Sequence, residues 1–136
     1  MGKEAEENGR DMSDTSNMVS AMKANIRVQQ IERQIAQIKT QLTSLGPLHP
    51  GSLSQQYNIC GKPGCRCKAR PRPRRHGPYY KVSYVFRGRF TSRFVSKQNV
   101  QAVRKELANY KRLRKLTEAW VGLALRLAKA KRNLPA

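Results

Sequence analysis

Two stretches of this chain carry apolar residues at heptad spacing, and the segment between them holds a Pro/Arg run, residues 68–78, that cannot be helical. In the first, Val28, Ile31, Ile35, Ile38, Leu42 and Leu45 follow one another at intervals of 3, 4, 3, 4 and 3, and Ala21 and Ala24 extend the series backwards. That is the a/d seam of a helix with one face to bury. The residues between, such as Gln29, Glu32, Arg33 and Lys39, are good helix formers. A coiled-coil helix is predicted over residues 18–45, stopped by Gly46-Pro47. In the second stretch Val100, Val103, Leu107 and Tyr110 make one seam. Leu113, Leu116, Trp120, Leu123, Leu127, Ala130 and Leu134 make another. The step from Tyr110 to Leu113 is 3 where 4 is due, a stammer that overwinds the helix locally. A long basic helix is predicted over residues 96–132, with Ser96 as its N-cap. Neither seam can be buried alone. The helices pair with each other as an antiparallel hairpin, with a second copy, or both, and a homodimer through the seams is expected.

Between the helices lies a module over residues 46–95. Residues 52–59 read as a short strand, and residues 68–78 as a Pro/Arg loop that cannot be helical. Residues 79–95 read as a β-hairpin, because Tyr80, Val82, Tyr84 and Phe86 alternate and Phe90 and Phe94 continue on the return. A three-residue loop, Arg87-Gly88-Arg89, would set Phe86 opposite Phe90 and Val82 opposite Phe94. Lys81, Ser83, Thr91 and Arg93 would then form a polar, basic face. Residues 1–17 hold only Met1, Ala5 and Met12 as apolar residues and are predicted to be a disordered acidic tail. The fold class is α+β: an N-terminal coiled-coil helix, a small metal-stabilised antiparallel β unit of hairpin plus knuckle, and a long C-terminal helix.

A length of 136 residues supports one modest domain. No apolar run resembles a secretory signal or approaches a membrane span, so a cytoplasmic protein that does not enter membranes is expected, nucleoid association included. The net charge of +20 is placed unevenly. Residues 1–59 hold six Lys/Arg and six Asp/Glu, whereas residues 60–136 hold 22 Lys/Arg against Glu106 and Glu118. The whole excess therefore begins at the first cysteine. Charge of one sign at this density opposes compaction unless an anion relieves it. Nucleic acid, DNA or RNA, is the cellular polyanion that fits best.

The cysteines sit at that boundary as Cys60-x4-Cys65-x-Cys67-x8-His76. Three thiolates and one imidazole are a complete tetrahedral donor set for zinc, and all four come from 17 residues. Neighbouring Lys and Arg favour the deprotonated thiols. Bound zinc would act structurally, turning binding energy into folding energy for a charge-repelled unit. The spacing matches none of the commonest finger patterns. His49, a water or a ligand from a second chain are alternatives to His76 as the fourth donor. A thiol redox site, an iron–sulfur centre shared in a dimer and an inert loop are the competing readings of the cluster.

Catalysis is not expected. After residue 59 only Glu106 and Glu118 are acidic, 12 residues apart, and no nucleophile, base and orienting group assemble. A nuclease or transposase would need clustered acids for its metal ions. Binding is better supported. Arg70, Arg72, Arg74 and Arg75 alternate with Pro71 and Pro73 in an extended segment whose guanidinium groups project at intervals along a phosphate backbone. Lys62, Arg66 and Lys68 surround the cysteines, and Arg87 and Arg89 flank the hairpin turn. Lys81 and Arg93 are placed beside Tyr79, which could stack on a base. Lys105, Lys111, Arg112, Arg114 and Lys115 make a cationic band on the long helix. Phosphate contacts should dominate, with steep salt dependence.

The strings GSLSQQYNICGKPGCRC and HGPYYKVSY, the hairpin ending in FVS, and the helix carrying ANYKRLRKL together resemble a family of small uncharacterised prokaryotic proteins, a domain of unknown function. Its members often lie near transposases and other mobile elements. The likeness covers roughly residues 46–130. It implies that Cys60, Cys65, Cys67 and His76 form one site, with Gly77, Pro78 and Tyr79 as further recurring positions, and it admits a mobile-element protein as partner. The linker ARPRPRR is longer and more basic than the family's usual one. The reading is a non-enzymatic nucleic-acid-binding accessory protein with a structural zinc. The alternatives are a coiled-coil adaptor for another protein and, behind it, a thiol-based redox sensor.

Overall fold

The computed structural model describes residues 10–132. The chain runs α1 (Arg10–Thr43), β1 (Ser52–Asn58), β2 (His76–Phe86), β3 (Arg89–Val95) and α2 (Val100–Arg132), with one-turn 3₁₀ segments at Arg66–Lys68 and Lys97–Asn99. The α+β class is as expected: a helix, a three-stranded antiparallel sheet in the order β1-β2-β3, and a long second helix. Among the described residues no helix is long and apolar enough to cross a membrane.

The described residues form two compact units rather than one, with α2 running through both: residues 10–44 with 115–132, and Leu45–Arg114. The division falls beside the stammer in α2, where one seam hands over to the next.

In the first unit α1 and the second half of α2 are antiparallel. Glu32 lies near Lys131, at 3.9 Å, and Lys39 lies over the Trp120 ring, at 5.2 Å. Val28, Ile31, Ile35 and Ala130 form the buried core, with Trp120, Leu123 and Leu127 packed against it. The seam predicted for α1 is thus covered by the same chain, and Ile31 keeps only 2% of its surface. The exposed Glu32–Lys131 pair adds little, because solvent screens it. α1 begins at Arg10, eight residues before the predicted start. Of the predicted disordered tail, residues 10–17 are therefore helical and residues 1–9 lie outside the described residues. The reason is cooperative: no glycine or proline stands between Gly9 and Gly46, so a helix nucleated by the seam propagates backwards over polar residues.

In the second unit β2 is the central strand. Its hairpin with β3 turns over two residues, not three: Phe86 pairs with Arg89, Val85 with Phe90 and Val82 with Arg93. Arg87 and Gly88 have φ of 50° and 75°, which makes the connection a type I′ turn. That turn matches the right-handed twist of the strands, and the twist outweighs the cost of placing arginine in the left-handed region. The predicted Phe86–Phe90 and Val82–Phe94 pairs are therefore not formed, and every β3 side chain lies on the opposite face from the one expected. β2 also starts three residues early, at His76, which takes residues 76–78 out of the Pro/Arg loop. The buried apolar side chains of this unit are Cys67, Val82, Val100 and Leu107. The connector after α1 is tied to α2 by the His49 amide donating to the Glu106 carbonyl (3.1 Å) and by Asn109 Nδ2 donating to the Pro47 carbonyl (2.9 Å). Ser96 precedes the 3₁₀ turn as predicted, but its hydroxyl makes no capping bond, and the Asn99 amide bonds to its carbonyl instead.

Candidate metal centre

Strand pairing does most of the work of assembling the cysteines and His76. β1 ends at Asn58, two residues before Cys60, and Asn58 pairs with His76 at the start of β2 across an irregularity in the ladder. The close approach there requires Gly77. Its φ is +129°, and a Cβ on it would sit 2.8 Å from the Gln56 carbonyl oxygen. Between the strands, Lys62-Pro63-Gly64-Cys65 is a tight turn, with the Cys65 amide bonded to the Lys62 carbonyl at 3.4 Å and Gly64 at φ +79°. Proline second and a left-handed glycine third are what a type II turn demands. The 3₁₀ turn Arg66–Lys68 then tucks Cys67 inside, where it is fully buried.

The result is one cluster. A donor atom from each of Cys60, Cys65, Cys67 and His76 lies within 4.8 Å of the others, and the four could hold a metal ion. Cys60 Sγ and Cys67 Sγ are 3.5 Å apart, and Cys65 Sγ and His76 Nε2 are 3.2 Å apart. A tetrahedral site with thiolate bonds near 2.3 Å has edges of about 3.8 Å, so the donors stand close to coordinating positions. The Cys60 amide donates to Cys67 Sγ at 3.3 Å, an outer-shell contact of the kind that steadies a ligating thiolate. The amide of Cys67, with help from Cys60, Cys67 and His76 side chains, lowers the Cys65 thiol from its usual value near 9 to about 6. Burial raises that of Cys67. His49, the alternative fourth donor, is engaged elsewhere: its Nδ1 lies 2.6 Å from the Pro50 carbonyl and its ring meets Tyr84 edge-on at 5.0 Å.

The arginine segment leaves this cluster at Cys67 and returns to it at His76, and the Arg74 amide bonds back to the Arg66 carbonyl at 2.9 Å. Arg70, Arg72, Arg74 and Arg75 are all exposed, as are Lys62, Arg66 and Lys68 around the cluster and Arg87 and Arg89 at the hairpin turn. Tyr79 borders a groove of about 400 Å³ that also touches Cys60, Lys62, Cys65 and His76. Tyr79 and Lys81 share one face of the sheet, but Arg93, opposite Val82, is on the other; the predicted Lys81–Arg93 pairing beside Tyr79 fails for the same register reason as the phenylalanines. Lys105, Lys111, Arg112 and Arg114 are exposed on α2 within the second unit, and Lys115 is exposed in the first. Sequence reasoning missed Phe90 and Phe94, which it placed on one face with Val82 and Phe86 and which stand 68% and 69% exposed. The Arg-Gly dipeptide at the turn was the signal that would have found them.

A family described as Domain of unknown function (DUF6788) matches residues 28–105. The match reaches back into α1 and includes the whole cysteine and histidine cluster. No curated protein and no solved structure matches the chain.

Proposed function

This chain belongs to the DUF6788 family, and we propose that it is a non-enzymatic nucleic-acid-binding protein whose sheet and basic loop are fixed by a structural zinc ion. The observation that carries the reading is the joining of two features in one place. The Cys₃His cluster grips both ends of a loop bearing four exposed arginines. Zinc is the metal best matched to three thiolates and an imidazole. Four protein donors leave no open position, which favours a structural over a catalytic role. The second unit holds seventeen Lys and Arg against the single acid Glu106, so phosphate contacts supply most of the affinity for DNA or RNA. The resemblance to proteins found beside transposases makes a mobile-element enzyme the protein partner to look for.

The test uses full-length protein purified under reducing conditions. Elemental analysis should find one zinc per chain, and nucleic acid should co-purify and be released as salt rises. Freshly made protein with neither zinc nor iron removes the metal from the reading. Nucleic-acid-free protein that binds neither duplex nor single-stranded probes at low salt removes the rest. Self-association is proposed through apolar side chains that the helix pairing leaves exposed, Met22 and Ile26 on α1 and Val121 and Leu125 on α2. Leu125→Lys should then lower the sedimenting mass at concentrations where the parent chain is a dimer.

A further inference from the structure

The sheet has one closed face and one open one. On the closed face Val82 is buried and Tyr80 and Tyr84 are half-buried. On the open face β2 contributes Tyr79, Lys81, Ser83 and Val85, and the two-residue turn brings Phe90, Ser92 and Phe94 of β3 alongside them. The Ser83 and Ser92 hydroxyls meet at 2.9 Å, as residues on one side of the sheet do. Phe90 and Phe94 are the two most exposed of the chain's three phenylalanines, and Tyr79 is also exposed. Lys81 Nζ sits 5.5 Å from the centre of the Phe94 ring. A groove of about 460 Å³ runs beside Phe94, lined also by Pro78, Tyr79 and Lys97, a volume in the range of clefts that hold small planar ligands.

Exposed phenyl rings on a strand are costly unless something covers them. The occupant must be flat, must tolerate a lysine beside the rings, and must be drawn to a unit with a net charge of +16. No acid lies on this face. Unstacked bases on a polyanionic backbone meet all three requirements: base faces stack on the rings while phosphates pair with Lys81 and Lys97. A duplex does not, because its base faces are already stacked on each other. We propose that the open face of the sheet, centred on Tyr79, Lys81, Phe90 and Phe94, is a stacking surface for single-stranded nucleic acid. This rests on the nucleic-acid reading above and sharpens it from charge attraction to base contact.

The experiment titrates the zinc-loaded full chain, by fluorescence anisotropy, into an oligothymidylate, an oligouridylate and a duplex of equal length. Phe90→Ala and Phe94→Ala should each weaken single-strand binding by about 5- to 140-fold, the worth of one stacked base. Duplex affinity and the salt slope should not move. The two oligonucleotides distinguish RNA from DNA as the strand preferred. Phe94→Trp should keep wild-type affinity, and its new indole emission should be quenched by either strand. Should an alanine variant lose its zinc or its secondary structure, Phe94→Trp decides: an indole that oligonucleotide leaves unquenched overturns the proposal. Full single-strand affinity in the Phe90→Ala/Phe94→Ala protein overturns it too, while leaving the charge-based reading intact. A parent chain that binds none of the three probes removes both. A dimer that the double variant dissociates would make this face a self-interface and would also overturn the proposal.

Discussion

Cys65 and Cys67 are neighbours but one, and their thiols are pushed in opposite directions. Cys65 faces the Cys67 amide and the His76 ring, which favour the thiolate and bring its pKa to about 6, whereas burial holds Cys67 protonated. In metal-free reduced protein, alkylation of Cys65 by iodoacetamide should therefore rise through pH 6 and level off by pH 7, with Cys67 unreactive until the chain unfolds. Mass mapping of the modified residue against pH checks this. The linkage to stability has a definite sign. Cys65 titrates near 9 unfolded and near 6 folded, so its contribution is complete above pH 9 and is lost as pH falls towards 6. Cys67, raised when folded, contributes below pH 9 and loses that contribution as pH climbs beyond. A metal ion held by this cluster would need both thiolates, so proton competition should release it on acidification. At this scale the sequence was readable where chemistry is carried by residue type: three cysteines within eight residues, with a histidine nearby. It favoured His76 over His49 by nearness alone, because what brings His76 in is the pairing of Asn58 with His76 across two strands.

The elements were legible in type and less so in register. Periodicities of 3.5 and 2 are local properties, and both helices and the hairpin form over those stretches, although α1 begins eight residues and β2 three residues before the predicted start, and α2 four residues after it. The hairpin turn is decided by a competition the pattern does not contain, between pairing phenylalanine with phenylalanine and matching the strand twist. Twist prevails at Arg87-Gly88, and the one-residue slip turns Phe90 and Phe94 outward. The β1–β2 pairing has its own hinge in Gly77, whose left-handed backbone and close approach to the Gln56 carbonyl admit no side chain. Gly77→Ala should cost about 1–3 kcal/mol in urea unfolding and should lower zinc content, since it moves His76 away from the thiols. Gly61→Ala is the control: a Cβ there meets nothing within 4 Å. It should leave both stability and zinc content close to those of the parent chain.

For the whole molecule, the placing of charge links the cysteine and histidine cluster to the proposed binding of nucleic acid. The asymmetry is plain in the sequence, since every excess cation follows residue 59. What the fold adds is a division of labour within the second unit. The arginine loop is pinned by the cluster and carries charge without aromatic rings, while the open sheet face carries rings with few charges. The two should answer salt differently. Removing one phosphate-binding cation flattens the slope of log affinity against log salt by about 0.9 on duplex and about 0.7 on single strands. Replacing Arg70, Arg72, Arg74 and Arg75 together by glutamine should flatten the slope by up to about 3.6 on duplex and about 2.8 on single strands. Affinity should fall most at low salt, and the parent and variant curves should converge as salt rises. Removing the Phe94 ring should instead lower single-strand affinity by a similar factor at every salt concentration. Stripping the metal tests whether the clip matters to the loop: a chelated chain keeps all four arginines, so weaker binding with an unchanged formal charge would trace the loss to their positioning. If the chelated chain bound as tightly and with the same slope, the loop would be acting as unpositioned charge and the cluster would serve the fold alone.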